Sequence, residues 1–316
     1  MRLILLVAFG LLVFLIALGV WLWTPDRSRE DLEAKYLRAP DDMVSIAGTP
    51  IHIRDTGPRD APAVILLHGF GASLHTWEPW AEGLQDRFRV IRFDLPGSGL
   101  SPPDATGDYT DARAIALING LMQKAGIERA SLVGHSVGGR IAWTFAAEHP
   151  DRVEGLVLIS PDGFASPGFE YGKAPDVPAV MKLMRYALPR FMLRSNIAVG
   201  YADPAALTDS AVERYHELML APDARQAMLD RMEQTVLEDP VPRLEKITAP
   251  TLIVWGEKDA MIPFVNASDY AQHIADNRLV SFPALGHLPH EENPAATLPA
   301  VREFLGSLPR LDAEDP

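Results

Sequence analysis

One nine-residue stretch, Ser131-Leu-Val-Gly-His-Ser-Val-Gly-Gly139, constrains this chain more than any other. The apolar run at 131–133 reads as a short buried strand, and 137–148 carries a helical pattern. The turn between them has only Gly134-His135-Ser136-Val137-Gly138 in which to reverse the chain. So sharp a strand-to-helix turn strains the backbone at Ser136 and leaves its hydroxyl exposed at the strand end. Gly134 and Gly138 are needed because a side chain at either position would collide across the turn.

The rest of the chain supplies the context for that turn. Short apolar runs at 63–67, 90–93, 156–159, 251–255 and 279–282 alternate with helical patterns at 76–86, 111–125, 266–274 and 295–305. This alternation predicts an α/β fold: a mainly parallel sheet with helices on both faces. Two β-type runs, 43–47 and 51–55, flank Gly48-Thr49-Pro50 and predict a hairpin. The alternation breaks between Pro161 and Pro242, where six of the ten methionines fall, and resumes afterwards. A helical cap inserted over one end of the sheet explains the break. The expected organisation is therefore 1–24 anchor or signal segment, 25–42 linker or exposed helix, 43–160 first part of the core, 161–242 cap, 243–310 second part of the core, and 311–316 tail.

Composition narrows the classes. Of 316 residues, 47% are hydrophobic and 22% charged, enough to bury a sizeable core. The net charge of −13 argues against nucleic acid as a partner. The chain has no cysteine, which excludes a disulfide scaffold, a thiol nucleophile and a thiolate metal site. His287 and His290 lack the carboxylates and spacing of a metal centre, and the Gly97-Ser-Gly99 run lacks the third glycine of a dinucleotide loop. No metal or cofactor is expected.

Residues 3–23, from Leu3 to Trp23, carry no charge. As a helix they would extend roughly 31 Å, the thickness of a bilayer core, with Trp21 and Trp23 at an interface. A single-pass membrane anchor is expected, with a signal peptide cleaved near Ala17-Leu-Gly19 as the alternative. The side of the membrane stays open. Arg27, Arg29, Lys35 and Arg38 against Arg2 favour a cytoplasmic body, whereas a short signal anchor would place it outside.

Four further motifs follow in order: Leu66-Leu-His-Gly-Phe-Gly71, Asp94-Leu-Pro-Gly-Ser-Gly-Leu-Ser101, Trp255-Gly-Glu-Lys-Asp259 and Gly286-His-Leu-Pro-His-Glu-Glu-Asn-Pro294. With the elbow, they make the chain resemble the α/β-hydrolase superfamily over nearly all its length after the anchor. The resemblance implies Ser136 as nucleophile, His287 as its general base and Asp259 as the acid that orients the histidine. Asp162 is the reserve acid, and His290, beside Glu291, is expected on the surface. Backbone N–H groups of Phe70 and Val137 should form the oxyanion hole. Asp94, Pro96, Gly97, Gly99 and Ser101 should only shape a turn.

The anchor, cap and His-Gly-Phe loop resemble the monoacylglycerol-lipase branch. They imply a membrane-anchored serine hydrolase of acylglycerol-like or other apolar carboxylic esters, with a small apolar ester as substrate. The alternatives are a carbon–carbon bond hydrolase of the meta-cleavage type and a non-catalytic ligand receptor on the same fold. In the cap, 179–196 holds Lys182, Arg185, Arg190 and Arg194 and no acid among mostly apolar residues. It is expected either to be a solvated cap helix or to lie against the anionic membrane face.

Overall fold

A computed structural model describes residues 1–165 and 170–309. The expected tail at 311–316 and residues 166–169 of the cap lie outside them. The strands are β1 (Met43–Ile46), β2 (Thr49–Thr56), β3 (Ala63–Leu67), β4 (Arg89–Phe93), β5 (Ala130–His135), β6 (Val153–Ile159), β7 (Thr251–Gly256) and β8 (Asn277–Phe282). The helices are α1 (Arg2–Leu22), α2 (Arg29–Tyr36), α3 (Glu78–Leu84), α4 (Asp111–Ala125), α5 (Val137–Glu148), α6 (Ala179–Lys182), α7 (Arg190–Ala198), α8 (Asp209–Met219), α9 (Ala224–Gln234), α10 (Val241–Leu244), α11 (Val265–His273), α12 (Pro289–Glu292) and α13 (Pro294–Ser307).

The sheet order is β1-β2-β4-β3-β5-β6-β7-β8. β1 and β2 form the expected antiparallel hairpin, turning at Ala47 and Gly48 with positive φ. β2 pairs antiparallel with β4, and every pairing from β4 to β8 is parallel. A parallel sheet buried on both faces needs apolar residues at consecutive positions. In β3, Ala63, Ile65 and Leu67 pack toward α4 and α5, while Val64 and Leu66 pack toward Trp80, Leu84 and α13. The parallel order brings the carboxyl ends of β5, β7 and β8 to one edge, where the candidate residues lie.

Between β6 and β7, helices α6 to α9 form a layer above that edge, with a small core of Leu188, Leu193, Tyr215, Met219, Leu220 and Met228. The segment expected as a linker or exposed helix holds α2, of which Leu32 alone is buried. Leu32 packs against Leu100 of the core and Leu218, Ala221 and Ala224 of the cap.

Below the cap, Asp94 organises the turn after β4. Its Oδ1 accepts the Leu74 N–H at 2.6 Å, and its Oδ2 accepts the Leu100 N–H at 2.9 Å and faces His52 Nδ1 at 2.7 Å. A Cβ at Gly99 would run into this carboxylate. Burial raises the pKa of Asp94, but His52 and its hydrogen bond outweigh that, holding it at about 2.

Four of the six buried histidines among the described residues, His68, His75, His135 and His290, make the fold sensitive to acid. Burial lowers the pKa of all four, to about 3 for His75 and His290. They stay neutral in the folded protein, whereas the unfolded chain binds their protons below about pH 6.5. Stability should therefore be complete above that pH and fall as the pH drops from 6.5 toward 3. The limiting slope is about 1.4 kcal/mol per pH unit for each histidine. Denaturant midpoints at pH 7.5, 6.5 and 5.5 check this, and a flat profile would contradict it.

Candidate active site

The elbow is present as expected. Ser136 follows β5 with φ 52° and ψ −121°, and α5 begins at the next residue. A Cβ on Gly138 would run into the Leu67 carbonyl, and one on Gly134 into the Gly138 carbonyl. The glycines thus let α5 start against the ends of β3 and β5. Val137 opens α5, and the first N–H groups of a helix have no partner within it. Val137 and Phe70 both border a small cleft beside the elbow. His68 fixes the Phe70 loop: its Nδ1–H donates to Gly69 O at 2.8 Å, and its Nε2 accepts the Leu95 N–H at 3.0 Å.

Asp259 and His287 come together because their loops pack backbone against backbone. Glu257 N–H donates to Phe282 O and Lys258 N–H to Leu285 O, both at 3.0 Å, and a Cβ on Gly256 would strike the Gly286 carbonyl. Asp259 Oδ1 accepts the N–H groups of Met261 and Ile262, each at 2.8 Å. Its Oδ2 lies 2.8 Å from His287 Nδ1, with both side chains buried. A carboxylate only accepts, so Nδ1 carries the proton and Nε2 keeps its lone pair. Ser136 and His287 line one cavity of about 240 Å³. No hydrogen bond is closed between them among the described residues, which is common before substrate binds. Asp162, the reserve acid, is committed elsewhere: it pairs with the buried Arg140 at 2.5 Å.

His290 is not on the surface as its neighbour Glu291 suggested. It is fully buried, stacks 4.4 Å from the Trp77 ring, and donates from Nε2 to Thr76 Oγ1 at 3.2 Å. The pocket that takes it is built by residues more than two hundred positions earlier, so its local sequence gave no signal. His135 was also missed as a site residue. Its Nε2–H donates to the His287 carbonyl at 2.9 Å, and its ring lies 4.7 Å from that of His287.

The cavity wall is apolar. Five of the six cap methionines line it, namely Met181, Met184, Met219, Met228 and Met232, with Met261, Leu188, Leu193 and Ile197. Its polar groups besides Ser136 and His287 are His135, Asn196 and Tyr215. The cleft beside Phe70 and Val137 is bounded by one buried cation, Arg231. Arg231 donates to the carbonyls of Pro96 at 3.1 Å and Tyr109 at 3.5 Å, and has no ion pair among the described residues. Burial lowers its pKa to about 10, which leaves it charged at neutral pH.

Known proteins are similar to this chain in sequence and in fold. The 2-hydroxy-6-oxo-6-phenylhexa-2,4-dienoate hydrolase of Comamonas testosteroni is 32% identical over 248 residues, covering 75% of this chain and 84% of that protein. A thermophilic esterase of Thermogutta terrifontis is 28% identical, with a TM-score of 0.69 over 84% of this chain and 96% of the esterase. A membrane phospholipase A, 24% identical with a TM-score of 0.69, is alike in fold over 97% of this chain and 98% of its own. The relatives at 30% identity or more include 2-hydroxy-6-oxo-6-phenylhexa-2,4-dienoate hydrolases of Comamonas testosteroni and Burkholderia cepacia, which correct the expected likeness of cap and loop to monoacylglycerol lipases. The sequence pattern of the alpha/beta hydrolase fold matches residues 62–294, so the chain belongs to the alpha/beta hydrolase family.

Proposed function

We propose that this protein is a membrane-anchored serine hydrolase that cleaves carboxylic esters with an apolar acyl group. The observation that carries this reading is the methionine- and leucine-lined cavity into which Ser136 and His287 both open. Such a wall accepts alkyl chains of varied shape. In the reaction, Ser136 Oγ attacks the ester carbonyl carbon while His287 Nε2 takes its proton. Asp259 stabilises the imidazolium so formed. The tetrahedral oxyanion lies between the N–H groups of Phe70 and Val137. His287 returns the proton to the departing alcohol, leaving an acyl-enzyme. Water activated by His287 then attacks that ester and frees Ser136.

A second reading has its own support. The Comamonas relative hydrolyses 2-hydroxy-6-oxo-6-phenylhexa-2,4-dienoate, whose name specifies a carboxylate and a phenyl ketone. Arg231, buried beside the candidate oxyanion hole without a carboxylate partner among the described residues, is a cation suited to hold such an acid. The same triad would serve carbon–carbon bond hydrolysis. A panel of p-nitrophenyl esters from acetate to dodecanoate, monoacylglycerols and the phenylhexadienoate separates the two. Ester turnover that rises with acyl length supports the first reading. Turnover of the dienoate alone, lost in Arg231→Gln, overturns it in favour of the second. Ser136→Ala should lower either activity by roughly 10⁴–10⁶-fold, and a variant retaining a tenth of the activity would remove Ser136 from the mechanism.

The N-terminal helix α1, none of whose residues is buried, is the anchor, and the cap rests on the same bilayer. Trp21 stacks on Phe191 and Trp23 on Tyr186, while the Thr24 N–H donates to Tyr186 O at 2.9 Å and Thr24 Oγ1 accepts the Leu188 N–H at 3.1 Å. Leu183, Tyr186, Phe191 and Met192 are exposed beside the helix end. The cations of 179–196 contribute less than their number suggests, because cap acids meet them: Lys182 pairs with Glu233 and Arg194 with Asp209, both at 2.8 Å. Apolar contact rather than charge therefore carries the docking, and it should resist salt.

The chain lacks cysteine, so single cysteines at Leu183, Phe191, Val13 and Glu128 take nitroxide labels cleanly. In proteoliposomes, labels at 183 and 191 should collide with oxygen and be shielded from a water-soluble nickel chelate, as at 13 and unlike at 128. Labels at 183 and 191 as open to the chelate as that at 128 would lift the cap off the membrane. An open label at 13 would remove the anchor.

A further inference from the structure

The backbone around His287 is held by the core, through His135 at its carbonyl, and by the cap. Glu292, half-buried in α12, places Oε2 2.8 Å from the N–H of Gly286, the residue before His287. Its Oε1 accepts the N–H of Asp203 in the cap, also at 2.8 Å. One carboxylate thus bridges the histidine loop and the cap backbone. On the other side of His287, the Leu288 N–H donates to Gly200 O of the cap at 3.2 Å. A Cβ at Gly286 would lie 2.6 Å from that same Gly200 oxygen, so the two segments touch directly. Glu291 adds a second bridge. Its Oε2 accepts from Thr76 at 2.8 Å and from the cap residue Tyr215 at 2.7 Å, and its Oε1 pairs with Arg214 of the cap.

The cap segment so attached continues from α7, and Leu193, Asn196 and Ile197 of α7 face the cavity. A long acyl chain that packs against these side chains therefore bears on the residues that hold Gly286 and Leu288. The opposite corner of the cap is tied separately to the segment after α1, through Thr24 and through Asp26, which pairs with Arg225 at 2.6 Å. The histidine corner is thus a fixed seam along which a packed cap sets the loop.

From this geometry we infer that Glu292 is a positioning residue: it couples occupancy of the cap to the placement of His287, so that substrates reaching the cap react faster once bound. Chemistry at Ser136 is sensitive to such placement, since a displacement near 1 Å costs on the order of 100-fold in rate. Glu292→Gln removes one of the two bridging bonds at nearly constant volume, because its amide nitrogen cannot accept an N–H. Arg214→Gln loosens the neighbouring bridge at Glu291 from the cap side, without altering a residue that lines the cavity.

The inference rests on the Ser136–His287 assignment, which Ser136→Ala tests separately by its failure to react with a fluorophosphonate. The full chain in detergent micelles is treated with ethyl and dodecyl fluorophosphonates. The saturating first-order rate of Ser136 modification and the half-saturating concentration are read together with the melting temperature. In the wild type the saturating rate should be higher for the dodecyl probe. Glu292→Gln should lower the dodecyl rate by about tenfold, to the ethyl level, with half-saturation and melting little changed. Arg214→Gln should move it in the same direction. Either variant keeping the full difference between probes, or slowing both probes equally, would reduce these bridges to ordinary loop support and overturn the inference. Should Glu292→Gln not fold, Arg214→Gln decides by the same readout.

Discussion

The backbone at Ser136 is the constraint on which the rest of the site depends. A residue with a side chain holds φ near +52° only when its surroundings leave no other choice. Here β5 lies between β3 and β6, α5 starts against the Leu67 and His68 carbonyls, and Gly134, Gly138 and Gly139 leave out the side chains that would push them apart. The consequence is a hydroxyl at the sheet's edge, beside the free N–H groups that begin a helix. Asp259 and His287 reach the same edge because β7 and β8 run parallel to β5, and because Gly256 lets the loop after β7 pack against the Leu285 and Gly286 carbonyls.

Much of this was legible in the sequence. Period-two and continuous apolar runs gave the strands, and the glycine-flanked serine gave the elbow, because both are local properties. The helical cap was readable as a break in the alternation. What could not be read depends on partners distant in sequence. His290 is followed by two glutamates and looked solvated, but Trp77 and Thr76 enclose it. The cations of 179–196 looked uncompensated, yet Glu233 and Asp209 meet two of them from other cap helices. Arg231 had no signal at all, since nothing in its neighbourhood distinguishes a buried arginine from an exposed one. Asp259 and Asp162 could both have served His287 by their position after a strand; the pairing of Asp162 with Arg140 separates them.

The cap emerges as the part of the molecule that connects the separate themes. Its inner face supplies the apolar wall over Ser136, and one corner meets the segment after α1. Another corner meets the loop that carries His287. A lipid-like acyl chain, an anchored helix and a catalytic base would then be joined through one small helical layer. The buried Arg231 lies at the boundary of that layer and the oxyanion loop. It borders the small cleft beside Phe70 and Val137 and not the apolar cavity over Ser136, so it bears on whether a substrate carries an acid at that end.

The most direct measurement is a crystal structure of the protein after reaction with a long-chain fluorophosphonate. A single covalent adduct on Ser136 Oγ is expected. Its phosphonyl oxygen should accept from the N–H groups of Phe70 and Val137, and its alkyl chain should run along the cap methionines. An adduct on another residue, or a phosphonyl oxygen turned away from both N–H groups, would contradict it.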